Sequence, residues 1–134
     1  MLRQIAEKIE KFINCSSSGS CGVFAAWVSQ VALKQGVSNF KIVFGHVKCR
    51  GENGNWVDEH IWIEDENGKI DPTVSQFFPF FQGYSKTRRK KYSPEEILSL
   101  SQFSLKNKNG KPWIKKHLKK MYPDRCVGTL PQSL

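Results

Sequence analysis

Apolar residues recur every three to four positions through the first third of the chain, which is the spacing of amphipathic α-helices. The first such stretch predicts a helix over residues 2–13, with charged side chains between its apolar positions Leu2, Ile5, Ala6, Ile9, Phe12 and Ile13. A second, wider apolar stripe begins after Cys21 and stops before Gly36, so it predicts a central and largely buried helix. Ser20 stands where the N-cap residue of that helix is expected.

The middle of the chain has the residue types and the alternation of β-strands. Residues 40–49 and 56–64 are rich in β-branched and aromatic side chains, and the Gly and Asn residues between them indicate a hairpin connection. A tight turn at 65–68 leads to a short third strand over 69–71. These segments predict an antiparallel meander, in which one face of the second strand carries Trp56, Asp58, His60, Trp62 and Glu64.

Helix signals return toward the C-terminus, after an aromatic segment. The five aromatic residues within 77–84 are expected to cover the core or to line a cleft. The segment Ser93–Glu96 has Ser at the N-cap, Pro at the first helical position and Glu at the third, so it predicts a helix that runs to about residue 104. A last amphipathic helix is predicted over 112–121.

These elements indicate an α+β fold, in which the buried second helix packs on a small antiparallel sheet and further helices follow at the C-terminus. A chain of 134 residues is long enough to bury one core. We therefore expect a single domain over residues 1–125 and a C-terminal tail over 126–134.

Positive charge is concentrated in the second half of the chain. Residues 68–134 carry fourteen basic and four acidic side chains, whereas residues 1–67 carry seven basic and eight acidic ones. The basic half could bind an anionic partner such as nucleic acid, a membrane surface or an acidic protein, or it could form a solvated lysine-rich face. The residues that would make such a contact are Lys86, Arg88, Arg89, Lys90, Lys91, Lys115, Lys116, Lys119 and Lys120.

Neither a membrane span nor a metal site is expected. No run approaches the roughly eighteen apolar residues of a membrane helix, and the charged N-terminus lacks the apolar core of a signal peptide. We expect a cytoplasmic protein, or one exported without a cleaved signal, as an effector or a phage-type enzyme would be. The four cysteines include no CxxC pair and the three histidines lie in unrelated contexts, so no metal or other cofactor is predicted.

Cys21 is the strongest candidate for chemistry. A thiol in the first turn of a helix lies at the positive end of the helix dipole, which stabilises a thiolate. The Ser and Gly residues around it leave its sulfur uncrowded. His60 lies within an apolar strand, and Asp71 follows it in the next one. Taken singly, Cys21 and His60 are also compatible with a structural cysteine and a core histidine.

Taken together, these three residues predict a nucleophile, a base and an orienting carboxylate. Cys21 attacks an acyl carbon, His60 takes the thiol proton and later protonates the leaving amine, and Asp71 holds the imidazole ring. An antiparallel pair whose turn is centred near position 65.5 would place Asp71 directly opposite His60. Asp58 and Glu64 share the face of His60 and are alternative orienting residues.

Acyl transfer also needs hydrogen-bond donors for the oxyanion that forms during the reaction. The backbone N–H of Cys21, at the start of its helix, is the first expected donor. The second donor stays open in the sequence. The candidates are Asn14, a loop amide between 15 and 20 such as that of Ser20, and the indole of Trp56.

Two parts of the chain resemble the papain-like cysteine enzymes in the broad sense. Gly19–Ala25, which contains Cys21, resembles the nucleophile segment of papain-type proteases and transglutaminases. His60–Glu64 and then Gly68–Thr73 resemble the transglutaminase-like branch, in which a strand His is followed after a turn by an Asp. The resemblance covers roughly residues 14–76. It implies a papain-like α+β core with a Cys-His-Asp triad, although Cys15 stands where papain-type enzymes have a glutamine.

The residues and the resemblance together predict a thiol-dependent acyl-transfer enzyme. It would form a thioester on a protein or peptide amide, as a peptidase, a glutamine deamidase or a transglutaminase-type enzyme. Two alternatives stay open. One is a peptidoglycan amidase or endopeptidase of the NlpC/P60 or CHAP kind, and the other is a non-catalytic module that binds nucleic acid through the basic half.

Overall fold

Two helices precede the sheet in the computed structural model, which describes residues 1–17 and 19–99. Helix α1, Leu2–Glu10, buries the apolar side chains Leu2, Ile5, Ala6 and Ile9. It is shorter than the predicted 2–13. The chain after Glu10 tightens into a turn, in which the N–H of Phe12 donates to the carbonyl of Ile9 at 3.0 Å.

Helix α2, Ser20–Lys34, is buried on almost every side. Its N-cap is Gly19 in the left-handed conformation, with φ of 84°, so the prediction of Ser20 as the N-cap is wrong by one residue. A left-handed residue at this position favours glycine because a Cβ would clash there. Ser20 instead lies in the first turn, and its hydroxyl donates to the carbonyl of Cys15 at 3.2 Å.

The predicted end of α2 is confirmed. Gly36 has φ of 74°, and the N–H of Val37 donates to the carbonyl of Ala32 at 2.8 Å. This is the Schellman arrangement, in which a glycine just past the helix lets later N–H groups satisfy the last carbonyls.

Strands β1 (Lys41–Gly51), β2 (Gly54–Asp65) and β3 (Gly68–Ile70) form the predicted antiparallel meander. The sequence did not predict that two further strands extend the sheet. Strands β4 (Phe81–Tyr84) and β5 (Lys90–Tyr92) both pair antiparallel with β1, on the edge that β2 leaves available. The end of the predicted basic loop is therefore a strand.

The core lies between the helices and one face of the sheet. Ile42 and Phe44 of β1 and Ile61 and Ile63 of β2 are almost fully buried, and they form one cluster with the apolar side chains of α1 and α2. Because side chains alternate across a strand, His60 and Trp62 point to the opposite face of β2. The described part of the chain is thus α+β with an antiparallel sheet, which confirms the coarse fold class.

A helix begins after Ser93, as predicted. The backbone N–H of Glu96 donates to the Ser93 hydroxyl at 3.1 Å, and the Glu96 carboxylate accepts from the N–H of Ser93 at 3.1 Å. This reciprocal capping box starts the helical residues 94–99. The predicted continuation to residue 104, the helix over 112–121 and the tail over 126–134 lie outside the described residues.

Within residues 1–17 and 19–99, no helix has the length and apolar character needed to cross a membrane.

Gly45 of β1 lies directly opposite His60, and its lack of a side chain makes room for an indole. A Cβ at Gly45 would lie 2.6 Å from Cη2 of Trp62. We expect Gly45→Ala to lower the free energy of unfolding by about 1–3 kcal/mol, because the packed indole must move. Urea unfolding followed by tryptophan fluorescence measures the change.

Gly83 of β4 provides the matched control. A Cβ there meets no atom within 4 Å, so Gly83→Ala should change stability by less than about 0.5 kcal/mol. Equal effects of the two substitutions would contradict the proposed role of the space at Gly45.

Candidate active site

The structure brings Cys21, His60 and Asp71 together. Cys21 lies in the first turn of α2, His60 is in β2, and Asp71 follows β3 directly. The Nε2 atom of His60 lies 2.9 Å from Oδ1 and 2.8 Å from Oδ2 of Asp71. The thiol of Cys21 is hydrogen-bonded to the imidazole of the same histidine. One imidazole therefore joins a thiol to a carboxylate.

Asp71 reaches His60 along a diagonal rather than from directly opposite. The pairs Glu64–Lys69 and Asp65–Gly68 centre the turn one residue later than predicted, so the position opposite Asp71 in this register is Trp62. The predicted register is wrong, because the polar segment 65–68 is itself centred at 66.5 rather than at 65.5. Diagonal neighbours on one face of a sheet remain within reach of each other, so the contact survives the shift.

The Asp71 carboxylate accepts hydrogen bonds from two further side chains. The hydroxyl of Tyr84 in β4 donates to Oδ2 at 2.7 Å, and the hydroxyl of Thr73 donates to Oδ1 at 3.1 Å. The Asp71 side chain is only 3% exposed. A carboxylate so far from water needs such donors to remain charged, and here they also hold it against His60.

The environment of His60 favours its protonated form. Burial alone would lower the pKa of this fully buried imidazole, but hydrogen bonds and charge interactions with Asp71 and Cys21 raise it to about 9. Burial and the neighbouring Asp71 raise the pKa of the Tyr84 hydroxyl, so Tyr84 remains a neutral donor to the carboxylate. The site can therefore hold a proton on the imidazole at neutral pH.

The second ring nitrogen of His60 faces a glutamine amide. Nε2 of the ring is engaged by Asp71, which leaves Nδ1 for the thiol of Cys21. Nε2 of Gln76 lies 3.3 Å from this Nδ1 and donates to the carbonyl of Thr73 at 3.1 Å. Gln76 belongs to the 3-10 helix Pro72–Phe77, which follows Asp71 directly.

Aromatic rings enclose the imidazole. Phe77 meets His60 edge-on with ring centroids 4.9 Å apart, and Trp62 stacks at 6.0 Å. Trp62 in turn contacts the ring of Tyr84 at 4.9 Å. Cys21 and His60 are 1% and 0% exposed, so water is largely excluded and the charge interactions at the site are strong.

The alternative orienting residues are not at the imidazole. The Glu64 carboxylate accepts from the indole N–H of Trp62 at 3.0 Å and lies 3.3 Å from the ammonium of Lys91. Asp58 is exposed and pairs across the sheet with Val47. Of the three carboxylates considered, the structure brings only Asp71 to His60.

Each of the expected second oxyanion donors makes contacts with other residues. The Asn14 side chain is exposed, and its Oδ1 accepts from the N–H of Ser16 at 3.2 Å. The ring of Trp56 packs against Phe80 at 5.5 Å, four strand residues or about 13 Å from His60. The backbone N–H of Ser20, the predicted loop amide, donates to the carbonyl of Ser17 at 3.2 Å, and its hydroxyl donates to the carbonyl of Cys15.

Sequence reasoning assigned no role to Gln76, Thr73 or Tyr84. Tyr84 was recognised only as one of a group of aromatic residues, and Thr73 only as a neighbour of Asp71. Both act through contacts made where the chain leaves regular strands, and no periodic pattern marks such positions. The signal available for Gln76 was a polar residue five positions after the candidate carboxylate Asp71.

The other two described cysteines have environments unlike that of Cys21. Burial and then the carboxylates of Glu10 and Asp71 raise the pKa of the half-buried Cys15 thiol. Burial and then Asp58 raise the pKa of the Cys49 thiol. All three are reduced thiols. Within residues 1–17 and 19–99, no cluster of three or more His, Cys, Asp or Glu side chains has the arrangement of a metal site.

The basic segment Lys86–Lys91 is only partly available to an anionic partner. Lys86, Arg88 and Lys90 are exposed. Arg89 is half-buried, with its guanidinium 5.5 Å from the ring centroid of Trp62. Lys91 is paired with Glu64. The predicted contact residues Lys115, Lys116, Lys119 and Lys120 lie outside the described residues, and binding of an anionic partner stays a prediction.

Comparison with known proteins adds no assignment to this geometry. No protein-family model matches the chain, and neither the curated proteins nor the solved structures include a significant match.

The raised pKa of His60 predicts how stability depends on pH. The folded-state pKa of about 9 lies above the unfolded value of 6.5, so the stabilisation is complete below pH 6.5 and is lost as pH rises through about 9. The loss should be at most about 3 kcal/mol. Urea unfolding at a series of pH values should show this fall in wild type and not in His60→Gln.

His46→Gln is the control, because it also removes one histidine but leaves the Asp71 pair intact. It should keep the fall between pH 6.5 and 9. A wild-type profile that is flat in this range, or one unchanged by His60→Gln, would show that the buried pair does not titrate in this way.

Proposed function

We propose that this protein is a cysteine enzyme that transfers acyl groups from protein or peptide amides, with Cys21 as nucleophile, His60 as acid and base, and Asp71 as the orienting carboxylate. The observation that carries the proposal is the His60 imidazole, which is bonded at Nε2 to Asp71 and is hydrogen-bonded to the Cys21 thiol. The place of Cys21 in the first turn of α2 supports it further, because that end of a helix stabilises a thiolate.

The reaction follows from this arrangement in two halves. The Cys21 proton moves to Nδ1 of His60, and the sulfur attacks the amide carbon to form a tetrahedral oxyanion. The C–N bond then breaks as Nδ1 returns the proton to the leaving nitrogen, which departs as ammonia or an amine. The remaining thioester is opened by water or by a second amine, whose proton His60 accepts.

Asp71 has two tasks in this scheme. Its contact with Nε2 fixes the ring so that Nδ1 faces the thiol, and its charge stabilises the imidazolium that forms. Tyr84 and Thr73 hold the carboxylate itself, so they are positioning residues. The buried setting reduces competition from water for the charged groups.

The acyl donor is proposed as a protein or peptide amide because of the resemblance to papain-like and transglutaminase-like enzymes. The same resemblance makes a papain-like core part of the proposal. Cleavage, glutamine deamidation and cross-linking share the thioester half-reaction, and the residues at the site do not distinguish among them. No observation at the site favours peptidoglycan or nucleic acid over these substrates.

Selective alkylation tests the activated thiol without knowledge of the substrate. With iodoacetamide at pH 7 and peptide mass spectrometry as readout, Cys21 should react faster than Cys15, although it is more buried. His60→Gln should slow alkylation of Cys21 at least about tenfold, because the thiolate loses its imidazolium partner. The rate at Cys15 serves as the control within the same molecule and should not change.

Turnover on model amides tests the enzyme class. Wild-type protein is incubated with dimethylated casein, and peptide cleavage, ammonia release and incorporation of a fluorescent primary amine are followed in parallel. At least one product should form, and Cys21→Ala should abolish it while leaving the melting temperature within a few degrees. Cys49→Ala, which removes a buried thiol outside the site, should retain activity.

Absence of all three products, together with equal alkylation of Cys21 and Cys15, would overturn the proposed function.

A further inference from the structure

The side-chain amide of Gln76 lies close to Nδ1 of the His60 imidazole. Its Nε2 is 3.3 Å from Nδ1 of His60, the nitrogen that serves the Cys21 thiol, and 3.1 Å from the carbonyl of Thr73. Gln76 is partly exposed, whereas Cys21 and His60 are buried. The amide therefore connects the buried imidazole with a residue that is partly open to solvent.

The carbonyl of Thr73 determines which end of the amide faces His60. A carbonyl oxygen accepts hydrogen bonds only, so the NH₂ group of Gln76, and not its oxygen, must point toward it. One amide proton is used by Thr73. The second proton points toward Nδ1 of His60, and this contact is a hydrogen bond only while Nδ1 carries no proton.

The raised pKa of His60 favours a proton on both ring nitrogens at neutral pH, so Nδ1 already carries one before the sulfur attacks. Two N–H groups then face each other, so the second amide proton of Gln76 has to turn to another acceptor. When the sulfur of Cys21 attacks the acyl carbon, negative charge develops on the acyl oxygen. The second amide proton of Gln76 is thus available to an anionic acceptor that forms close to it.

We propose that Gln76 is a catalytic residue that donates its second amide proton to the oxyanion, beside the backbone N–H of Cys21. This inference rests on the proposed acyl transfer at Cys21. Of the side-chain donors suggested by the sequence, Asn14 is exposed and Trp56 lies four residues along β2 from His60, about 13 Å away. Gln76 comes from a different element, the 3-10 helix after Asp71, and is anchored there by Thr73.

Two reactions of the Cys21 thiol distinguish an oxyanion donor at Gln76 from a residue that only holds His60 in place. Iodoacetamide alkylates Cys21 by forming a C–S bond as iodide leaves, and no oxyanion arises. With p-nitrophenyl acetate the sulfur adds to the carbonyl, an oxyanion forms, and p-nitrophenolate leaves an acetyl thioester on Cys21. Only the second reaction needs the donor proposed for Gln76.

Gln76→Met keeps the length of the side chain and removes both amide protons. We expect its acylation by p-nitrophenyl acetate to fall about 10²–10³-fold, the usual effect of losing one oxyanion donor. Its alkylation by iodoacetamide should stay within about twofold of wild type, since the SN2 step forms no oxyanion. Gln82→Met, at an exposed glutamine of β4, should change neither rate.

The remaining outcomes contradict the proposal, and each has a distinct pattern of the two rates. A parallel fall of both rates in Gln76→Met would assign Gln76 to holding His60 and overturn the oxyanion role. Unchanged rates in both reactions would overturn it as well. The wild-type protein tests the proposed function itself, before any variant is compared. If its Cys21 reacts no faster than Cys15 with either reagent, the proposed function is overturned.

Discussion

The buried Asp71 carboxylate is the interaction on which the candidate site depends. It receives hydrogen bonds from His60 of β2, from Tyr84 of β4 and from Thr73 at the start of the 3-10 helix. A carboxylate that is 3% exposed would cost several kcal/mol without such partners. Strands β2 and β4 flank β1 on opposite sides, so this one group ties both sides of the central strand together.

The thiol of Cys21 reaches the imidazole that Asp71 holds because α2 is buried on almost every side. Its apolar residues join the same core as Ile61 and Ile63 of β2, so the helix packs on the strand of His60. Ser20 bonds back to Cys15, and the hydroxyl of Ser16 lies 3.4 Å from that of Ser75 in the 3-10 helix. The two segments that carry Cys21 and Gln76 are therefore anchored to each other, which is the preorganisation that the proposed reaction requires.

The regular elements could be predicted from the sequence, and so could the three proposed triad residues. Periodicity indicated α1, α2 and the meander, and the capping box at Ser93 was confirmed. Contacts between segments far apart in the chain, or in irregular structure, could not be predicted. The turn after β2 is one residue later than expected, β4 and β5 pair with a strand far away in the chain, and the amide of Gln76 meets His60 from a 3-10 helix.

The predictable features depend on local chemistry, and the others depend on tertiary packing. Helix and strand patterns, caps and the residue types of Cys21, His60 and Asp71 depend on neighbours a few positions apart, so they can be deduced from the chain alone. The partners of Asp71, the raised pKa of His60 and the orientation of Gln76 depend on burial and on groups brought together from separate elements. Only the packed structure supplies the low-dielectric environment that gives these groups their strength, and it alone decides which donors face which acceptors.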